Sequence, residues 1–82
     1  LNSSIMNIKM YGADWCPDCT HAKKLLDSKG IEFEYINITN NHDAVAFLEN
    51  VNCGKRIIPT LDIDGEIYPN PGINRLMEII RQ

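Results

Sequence analysis

Apolar and polar residues alternate in two segments of the first half of the chain, residues 6–10 and 31–35. A period of two residues is typical of a β-strand whose two faces meet different surroundings. Between these segments, Pro17 suits the first turn of a helix, apolar residues then recur at helical spacing, and Gly30 follows as a typical helix stop. Because the connection is helical, the pattern predicts two parallel strands in a β-α-β unit.

The second half of the chain contains signals for two more helices and two more strands. Residues 40–43 are cap formers, and apolar residues at i, i+3, i+4 and i+7 from Ala44 to Val51 predict a helix that ends near residues 52–54. Residues 57–63 predict a third strand, and Asp64-Gly65 predicts a tight hairpin into a fourth strand at residues 66–68. Apolar positions between residues 73 and 80 predict a closing helix. The predicted order is β-α-β-α-β-β-α.

The length and composition of the chain are those of a small globular protein. It has 82 residues, of which 44% are hydrophobic and 23% are charged. A chain of this size has room for one core, so we expect residues 1–82 to form a single domain. Met6 is a candidate native start, and we expect residues 1–5 to be either foreign to the native protein or disordered.

Charge and hydropathy argue against several classes of function. The net charge of -3 and the scattered basic residues argue against binding to nucleic acid. No stretch approaches the roughly 20 apolar residues of a membrane helix, and the first residues lack the basic and apolar regions of a signal peptide. We therefore expect a cytoplasmic protein without a membrane partner.

Two of the three cysteines, Cys16 and Cys19, are separated by only two residues at the predicted start of the first helix. An odd number of cysteines argues against a scaffold stapled by disulfides. The free N–H groups of a helix N-terminus stabilise a thiolate at Cys16, which would attack a substrate disulfide. Cys19, one turn later, would attack the resulting mixed disulfide and release the reduced substrate. The spacing therefore predicts a redox-active dithiol.

A cysteine pair at this spacing also supplies two ligands of zinc or of an iron–sulfur cluster, with His21 and Cys53 as candidates for the others. Structural zinc takes four ligands, and the chain has no second pair at matching spacing. The alternative to a redox enzyme is therefore a binding protein that uses Cys16 and Cys19 to hold a metal ion or an iron–sulfur cluster. For Cys53, auxiliary redox chemistry and an unreactive thiol both remain open.

The predicted order of elements, with the run Trp15-Cys16-Pro17-Asp18-Cys19 between the first strand and the first helix, resembles the thioredoxin fold in its minimal form. The likeness covers essentially the whole chain. Residues 11–19, 55–60 and 64–65 resemble glutaredoxin-like proteins, mycoredoxins included, more than thioredoxin itself. The resemblance implies an α/β fold with a four-stranded mixed sheet and three helices, in which a cis bond between Ile58 and Pro59 faces the cysteines.

The resemblance also implies an activity, which is the reduction of protein disulfides or of glutathione mixed disulfides through Cys16 and Cys19. No bound cofactor is expected, because electrons would come from glutathione or from a flavoprotein reductase. In the second case the protein would be a dedicated electron donor. We expect a monomer in which Trp15 packs beside the active-site loop. The residues that the resemblance implies for substrate binding are Trp15, Pro17, Asp18, Lys55, Arg56, Ile58, Pro59, Gly72 and Asn74.

One segment departs from the common glutaredoxin pattern, in which a Gly-Gly pair and a Ser/Thr-Asp pair lead into the last helix and bind the γ-glutamyl end of glutathione. Here the matching residues are Pro71-Gly72-Ile73-Asn74-Arg75. Arg75 stands where an acidic residue would answer the ammonium group, while Lys55 or Arg56 remains for the glycine carboxylate. We therefore expect glutathione binding that is weakened but not lost.

Overall fold

The computed structural model describes residues 6–81, so the expectations for residues 1–5 lie outside the described residues. The elements follow the predicted order. The strands are β1 (Ile8–Gly12), β2 (Glu34–Asn37), β3 (Thr60–Ile63) and β4 (Glu66–Pro69), and the helices are α1 (Pro17–Ser28), α2 (His42–Val51) and α3 (Ile73–Ile80). Within residues 6–81, no helix combines the length and apolar character needed to cross a bilayer.

The four strands form one mixed sheet in the order β2-β1-β3-β4. β1 pairs in parallel with β2, where Met10 lies opposite Tyr35, and antiparallel with β3, where Met10 lies opposite Leu61. β3 and β4 form an antiparallel hairpin. The predicted four-stranded mixed sheet and three helices are confirmed, and β1 lies in the middle of the sheet beside the loop that carries the cysteines.

Helices cover both faces of the sheet because successive residues of β1 point to opposite faces. Met10 belongs to the larger core cluster, which includes Leu26 of α1 and Leu76 of α3. Tyr11, the next residue, belongs to a smaller cluster with Leu48 of α2. α1 and α3 therefore pack on one face and α2 on the other, and the site between β1 and α1 lies at one edge of this three-layer arrangement.

The predicted starts of three strands are wrong. β1 begins at Ile8 and not at residue 6. β2 begins at Glu34 and not at residue 31, because pairing with β1 starts only where Glu34 meets Lys9. Ile31 and Phe33 still pack against the larger core cluster, which accounts for their apolar spacing without placing them in the sheet. β3 begins at Thr60 and not at residue 57, because the proline before it has no N–H to donate to a neighbouring strand.

The hairpin and the start of α2 agree with their sequence signals. Asp64 and Gly65 both have positive φ angles, 53° and 90°, as a two-residue turn between β-strands requires. Asn41 caps α2, because its side-chain oxygen accepts a hydrogen bond from the N–H of Ala44 at 3.1 Å.

A buried pair of polar side chains joins the end of α2 to the start of β3. The Thr60 hydroxyl donates to the carbonyl of Ile57 at 2.6 Å and accepts a hydrogen bond from the Asn52 side-chain amide at 3.3 Å. Both Thr60 and Asn52 are buried. These bonds hold the loop before β3 in place, and that loop carries Ile58, which packs against the two cysteines.

We expect Thr60→Val to destabilise the fold by about 1–3 kcal/mol, because it leaves the Asn52 amide buried without its acceptor. Thr60→Ser keeps the hydroxyl and is the matched control, whose loss should be smaller. The free energy of unfolding from urea titrations measures both. Equal losses in the two variants would show that the methyl group of Thr60, and not its hydroxyl, stabilises this loop.

Candidate active site

Cys16 occupies the N-cap position of α1, immediately before Pro17. Its backbone is extended, with φ of -92° and ψ of 115°, and its Sγ accepts a hydrogen bond from the N–H of Cys19 at 3.2 Å. Pro17 fits the first helical position because the N–H that it lacks would have no partner within the helix. The Cys16 sulfur therefore lies at the N-terminal end of the helix, which is the positive end of the helix dipole.

Cys19 lies one turn further along α1 and has no exposed surface, whereas Cys16 keeps 6%. Both side chains are thiols in this structure. Burial raises the pKa of Cys19 to about 12, and the hydrogen bond with Cys16 and the charges of Cys16 and Asp18 act in the same direction. A backbone hydrogen bond with Ala13 acts in the opposite direction. Cys19 therefore keeps its proton at neutral pH.

Gly12, the last residue of β1, makes room for the buried sulfur. A Cβ at this position would lie 2.7 Å from the Sγ of Cys19, which is too close for two atoms that are not bonded. The glycine is therefore required for space. The sequence pattern did not single out Gly12, although a glycine at a strand end can mark a close approach of this kind.

The segment before β3 closes the other side of the cysteines. Ile58 packs against the small cluster formed by Ala13, Cys16 and Cys19. The bond between Ile58 and Pro59 is cis, as the resemblance implied. The Pro59 carbonyl accepts a hydrogen bond from the N–H of Asn70 at 2.7 Å, which ties this segment to the turn between β4 and α3.

A groove of about 50 Å³ lies between α1, Pro59 and the start of α3. Its lining residues are Asp18, His21, Ala22, Pro59, Asn70, Pro71, Gly72, Ile73 and Leu76. Among these residues, Asp18 is the one with a carboxylate and none is a lysine or an arginine. We call this the Asp18 groove.

A second groove, of about 370 Å³, lies beside Trp15 and the start of α2. It is lined by Trp15, residues 38–42, Val45 and Arg56. Trp15 is 73% exposed, so the expectation that it packs beside the loop is wrong, because no described element covers its ring. The Arg56 guanidinium pairs with Glu49 of α2 at 2.8 Å and is therefore not free to hold a ligand carboxylate without breaking this contact.

The structure divides the residues predicted to bind substrate between different places. Asp18, Pro59 and Gly72 meet in the Asp18 groove, Trp15 and Arg56 meet in the second groove, Ile58 contacts the cysteine cluster and Pro17 starts α1. Lys55 and Asn74 are exposed and line neither groove.

Arg75 also lies outside the Asp18 groove. Its guanidinium carbon is 6.0 Å from the centre of the Tyr68 ring and one of its nitrogens is 3.4 Å from a carboxylate oxygen of Glu78.

The sequence interpretation missed His21 as a groove residue. The sequence feature that could have revealed it is that His21 follows Asp18 by three residues, a spacing that places both side chains on one face of α1.

The candidate metal ligands do not come together with the cysteine pair. Within residues 6–81, no group of three or more His, Cys, Asp or Glu side chains is arranged to hold a metal ion. Cys53 is exposed just beyond the end of α2, where its φ angle is 57°. A metal at Cys16 and Cys19 would thus need ligands from outside these residues.

The fold and the cysteine pair at the start of α1 define a protein of the thioredoxin-like class. The crystal structure of the thioredoxin-like protein BC3987 superimposes with a TM-score of 0.78 at 25% identity, over 89% of this chain and 99% of that one. The family model described as Glutaredoxin matches residues 8–68.

Two curated relatives support the same family. Mycoredoxin 1 of Corynebacterium glutamicum is 38% identical over 66 residues, which are 79% of this chain and 81% of that protein. Glutaredoxin 3 of Escherichia coli strain K12 is 34% identical over 61 residues, which are 73% of this chain and 71% of that protein. The chain belongs to the glutaredoxin family and is a thiol-disulfide oxidoreductase.

The burial of Cys19 predicts a strong asymmetry in thiol reactivity. In a Cys16→Ser variant at pH 8, iodoacetamide should label Cys19 at least about a hundredfold more slowly than the exposed Cys53, because desolvation, the largest cause of the raised pKa, remains. Labelling of Cys19 should accelerate as the pH rises toward 12. Mass spectrometry of the peptides measures both rates in one sample, and similar rates at pH 8 would contradict the assignment of Cys19 as a protonated thiol.

Proposed function

We propose that Cys16 is the nucleophile and Cys19 the resolving thiol of a dithiol reductase. The observation that carries this proposal is the asymmetry of the pair. The Cys16 sulfur accepts the N–H of Cys19 at the start of α1, whereas the Cys19 sulfur is fully buried and its pKa is raised to about 12. Of the two sulfurs of this pair, that of Cys16 is therefore the one that attacks a substrate disulfide.

The first step forms a bond between Cys16 and one sulfur of the substrate, while the substrate disulfide breaks and its other sulfur leaves and takes up a proton. In the second step Cys19 loses its proton and attacks the Cys16 sulfur. The remaining substrate sulfur leaves as a thiol, and Cys16 and Cys19 become a disulfide. Two electrons pass from the protein to the substrate, and a reducing thiol or a reductase returns them.

The second step becomes easier once the first has occurred. The hydrogen bond with Cys16 and the charge of Cys16 both contribute to the raised pKa of Cys19, after burial. Neither acts when the Cys16 sulfur is bonded to a substrate. The Cys19 proton is thus easier to remove in the mixed disulfide than in the free dithiol. The resolving step therefore becomes favourable only after the attack by Cys16.

The substrates we propose are protein disulfides and mixed disulfides of a low-molecular-weight thiol. The likeness to mycoredoxin 1 supports including mycothiol, beside glutathione, among the candidates that we propose for that thiol. Glutathione carries two carboxylates, and the Asp18 groove offers them a carboxylate and neither a lysine nor an arginine. The start of α3 at Gly72 supplies about half a positive charge, so one carboxylate could still bind there. We therefore propose slow turnover with glutathione.

Recharging by a flavoprotein reductase uses the same cysteine chemistry and remains the alternative within this class. Coupled turnover with glutathione and its reductase, compared with turnover in a thioredoxin-reductase system, distinguishes the two. Metal analysis and absorbance of anaerobically purified protein test the metal-binding alternative. A cytoplasmic location and a monomeric state stay predictions from the sequence.

The proposed roles predict opposite outcomes for the two serine variants. Cys19→Ser should accumulate a mixed disulfide with a protein disulfide substrate, because the resolving thiol is absent. Cys16→Ser should form none. Mass spectrometry of the acid-quenched reaction detects the adduct and its position, with Cys53→Ser in each variant as the control for side reactions. An adduct on Cys19 in the Cys16→Ser variant would reverse the assignment.

The charge of the Asp18 groove predicts the order of kcat/KM among small disulfides that differ in charge. Three substrates of similar size differ in charge, namely cystamine (cationic), 2-hydroxyethyl disulfide (neutral) and 3,3′-dithiodipropionate (anionic). We expect Asp18→Asn to lower the ratio of kcat/KM for cystamine to that for dithiodipropionate by about fivefold at low salt, and added salt to reduce this difference.

Asp27→Asn is the matched control for this series, because Asp27 lies on the same helix but outside the Asp18 groove. It should leave the ratio unchanged. If Asp18→Asn and Asp27→Asn change the ratio equally, the overall charge of the protein selects the substrate and the groove does not.

A further inference from the structure

A cluster of polar side chains lies beside the active site and has no part in the chemistry described above. The Tyr35 hydroxyl on β2 donates a hydrogen bond to one carboxylate oxygen of Asp14 at 3.0 Å. The Asn37 side-chain amide donates to the other oxygen of Asp14 at 3.4 Å. Asp14 lies in the loop between β1 and α1, two residues before Cys16. The contact therefore ties the active-site loop to the neighbouring strand.

The Tyr35 ring lies beside the buried sulfur. A Cβ at Gly12 would meet the Cys19 sulfur at 2.7 Å and the Cε1 of Tyr35 at 3.3 Å, so both side chains occupy the space on that side of Gly12. Burial raises the pKa of Tyr35 to about 12, with further contributions from the Asp14 hydrogen bond and charge and then from Cys19 and Cys16. The hydroxyl therefore remains a hydrogen-bond donor at neutral pH.

α1 holds the same ring from its own side. The ammonium group of Lys23, one turn after Cys19, lies 4.0 Å from the centre of the Tyr35 ring. Tyr35 thus contacts the helix that carries Cys19 and the loop that leads to Cys16, while its backbone is fixed in the sheet opposite Met10. A side chain held at three points is suited to keep a neighbour in place.

We propose that Tyr35 is a positioning residue for the resolving thiol, whose ring covers the Cys19 sulfur and whose hydrogen bond to Asp14 keeps that ring against the active-site loop. The inference rests on the dithiol function proposed above. With the ring in place, water is kept from Cys19 and the sulfur has little freedom to rotate away from Cys16. Loss of the hydrogen bond should therefore slow the resolving step and make Cys19 more accessible, while the attack by Cys16 changes less.

Tyr35→Phe removes the hydroxyl and keeps the ring. In single-turnover reactions with a protein disulfide, we expect resolution of the mixed disulfide to slow by about three- to tenfold, the change expected from one partly exposed hydrogen bond. In a Cys16→Ser background, iodoacetamide labelling of Cys19 relative to Cys53 should rise by a similar factor. Tyr35→Ala, which removes the ring, should have larger effects on both rates.

Tyr68→Phe is the matched control, because Tyr68 lies on β4 and packs against the larger core cluster away from the cysteines. It should leave both rates unchanged. Asp14→Ala removes the same hydrogen bond from the other side, so the double variant Asp14→Ala/Tyr35→Phe should resolve no more slowly than the slower single variant.

Several results would overturn the proposal. One is an unchanged rate of mixed-disulfide resolution in Tyr35→Phe. Another is a double variant in which the two single-variant reductions of this rate add. Equal slowing of attack, measured in a Cys19→Ser background, and of resolution would indicate a general disturbance of the loop. Thermal unfolding of each variant identifies any that fail to fold, and Asp14→Ala then carries the test. Failure of the dithiol assignment itself would instead appear as an adduct on Cys19 in the Cys16→Ser variant.

Discussion

The contact between the Cys19 sulfur and the bare backbone of Gly12 fixes the geometry of the active site. Because no side chain stands at Gly12, α1 can start close to the end of β1 and Cys19 can be buried completely. This burial raises the pKa of Cys19 and distinguishes it from Cys16, which stays at the helix end. A proton-bearing inner thiol and a helix-capping outer thiol are the physical basis of the ordered two-step exchange proposed above.

The scaffold brings three distant parts of the chain to this point, and hydrogen bonds hold each of them. Thr60 and Asn52 fix the segment before β3, and the bond from Asn70 to the Pro59 carbonyl joins it to the start of α3. Tyr35 and Asp14 join β2 to the loop before Cys16. The site is therefore enclosed on both sides by elements of the sheet, while the first cysteine remains at the edge.

Charge near the site is arranged differently from what the resemblance implied. Lys55 and Arg56, the residues implied for the glycine carboxylate, do not line the Asp18 groove, and Arg56 pairs with Glu49. Arg75 also lies outside this groove, beside Tyr68 and Glu78. Asp18, between the two cysteines in sequence, supplies the charge of the groove. Under the proposed function, a residue of the redox motif itself therefore selects among small disulfides by their charge.

The sequence by itself determined the order of the elements, the place of Cys16 at the start of α1 and the hairpin at Asp64-Gly65, because each depends on signals within a few residues. β2 starts at Glu34 because it meets Lys9 of β1 there, and β3 starts at Thr60 where it meets Tyr11 of β1; both partners are distant in sequence. Two features of the active site likewise depend on contacts between distant residues. The need for glycine at position 12 and the bond between Asp14 and Tyr35, which are 21 residues apart, exist only where the packed sheet and helix bring these groups together.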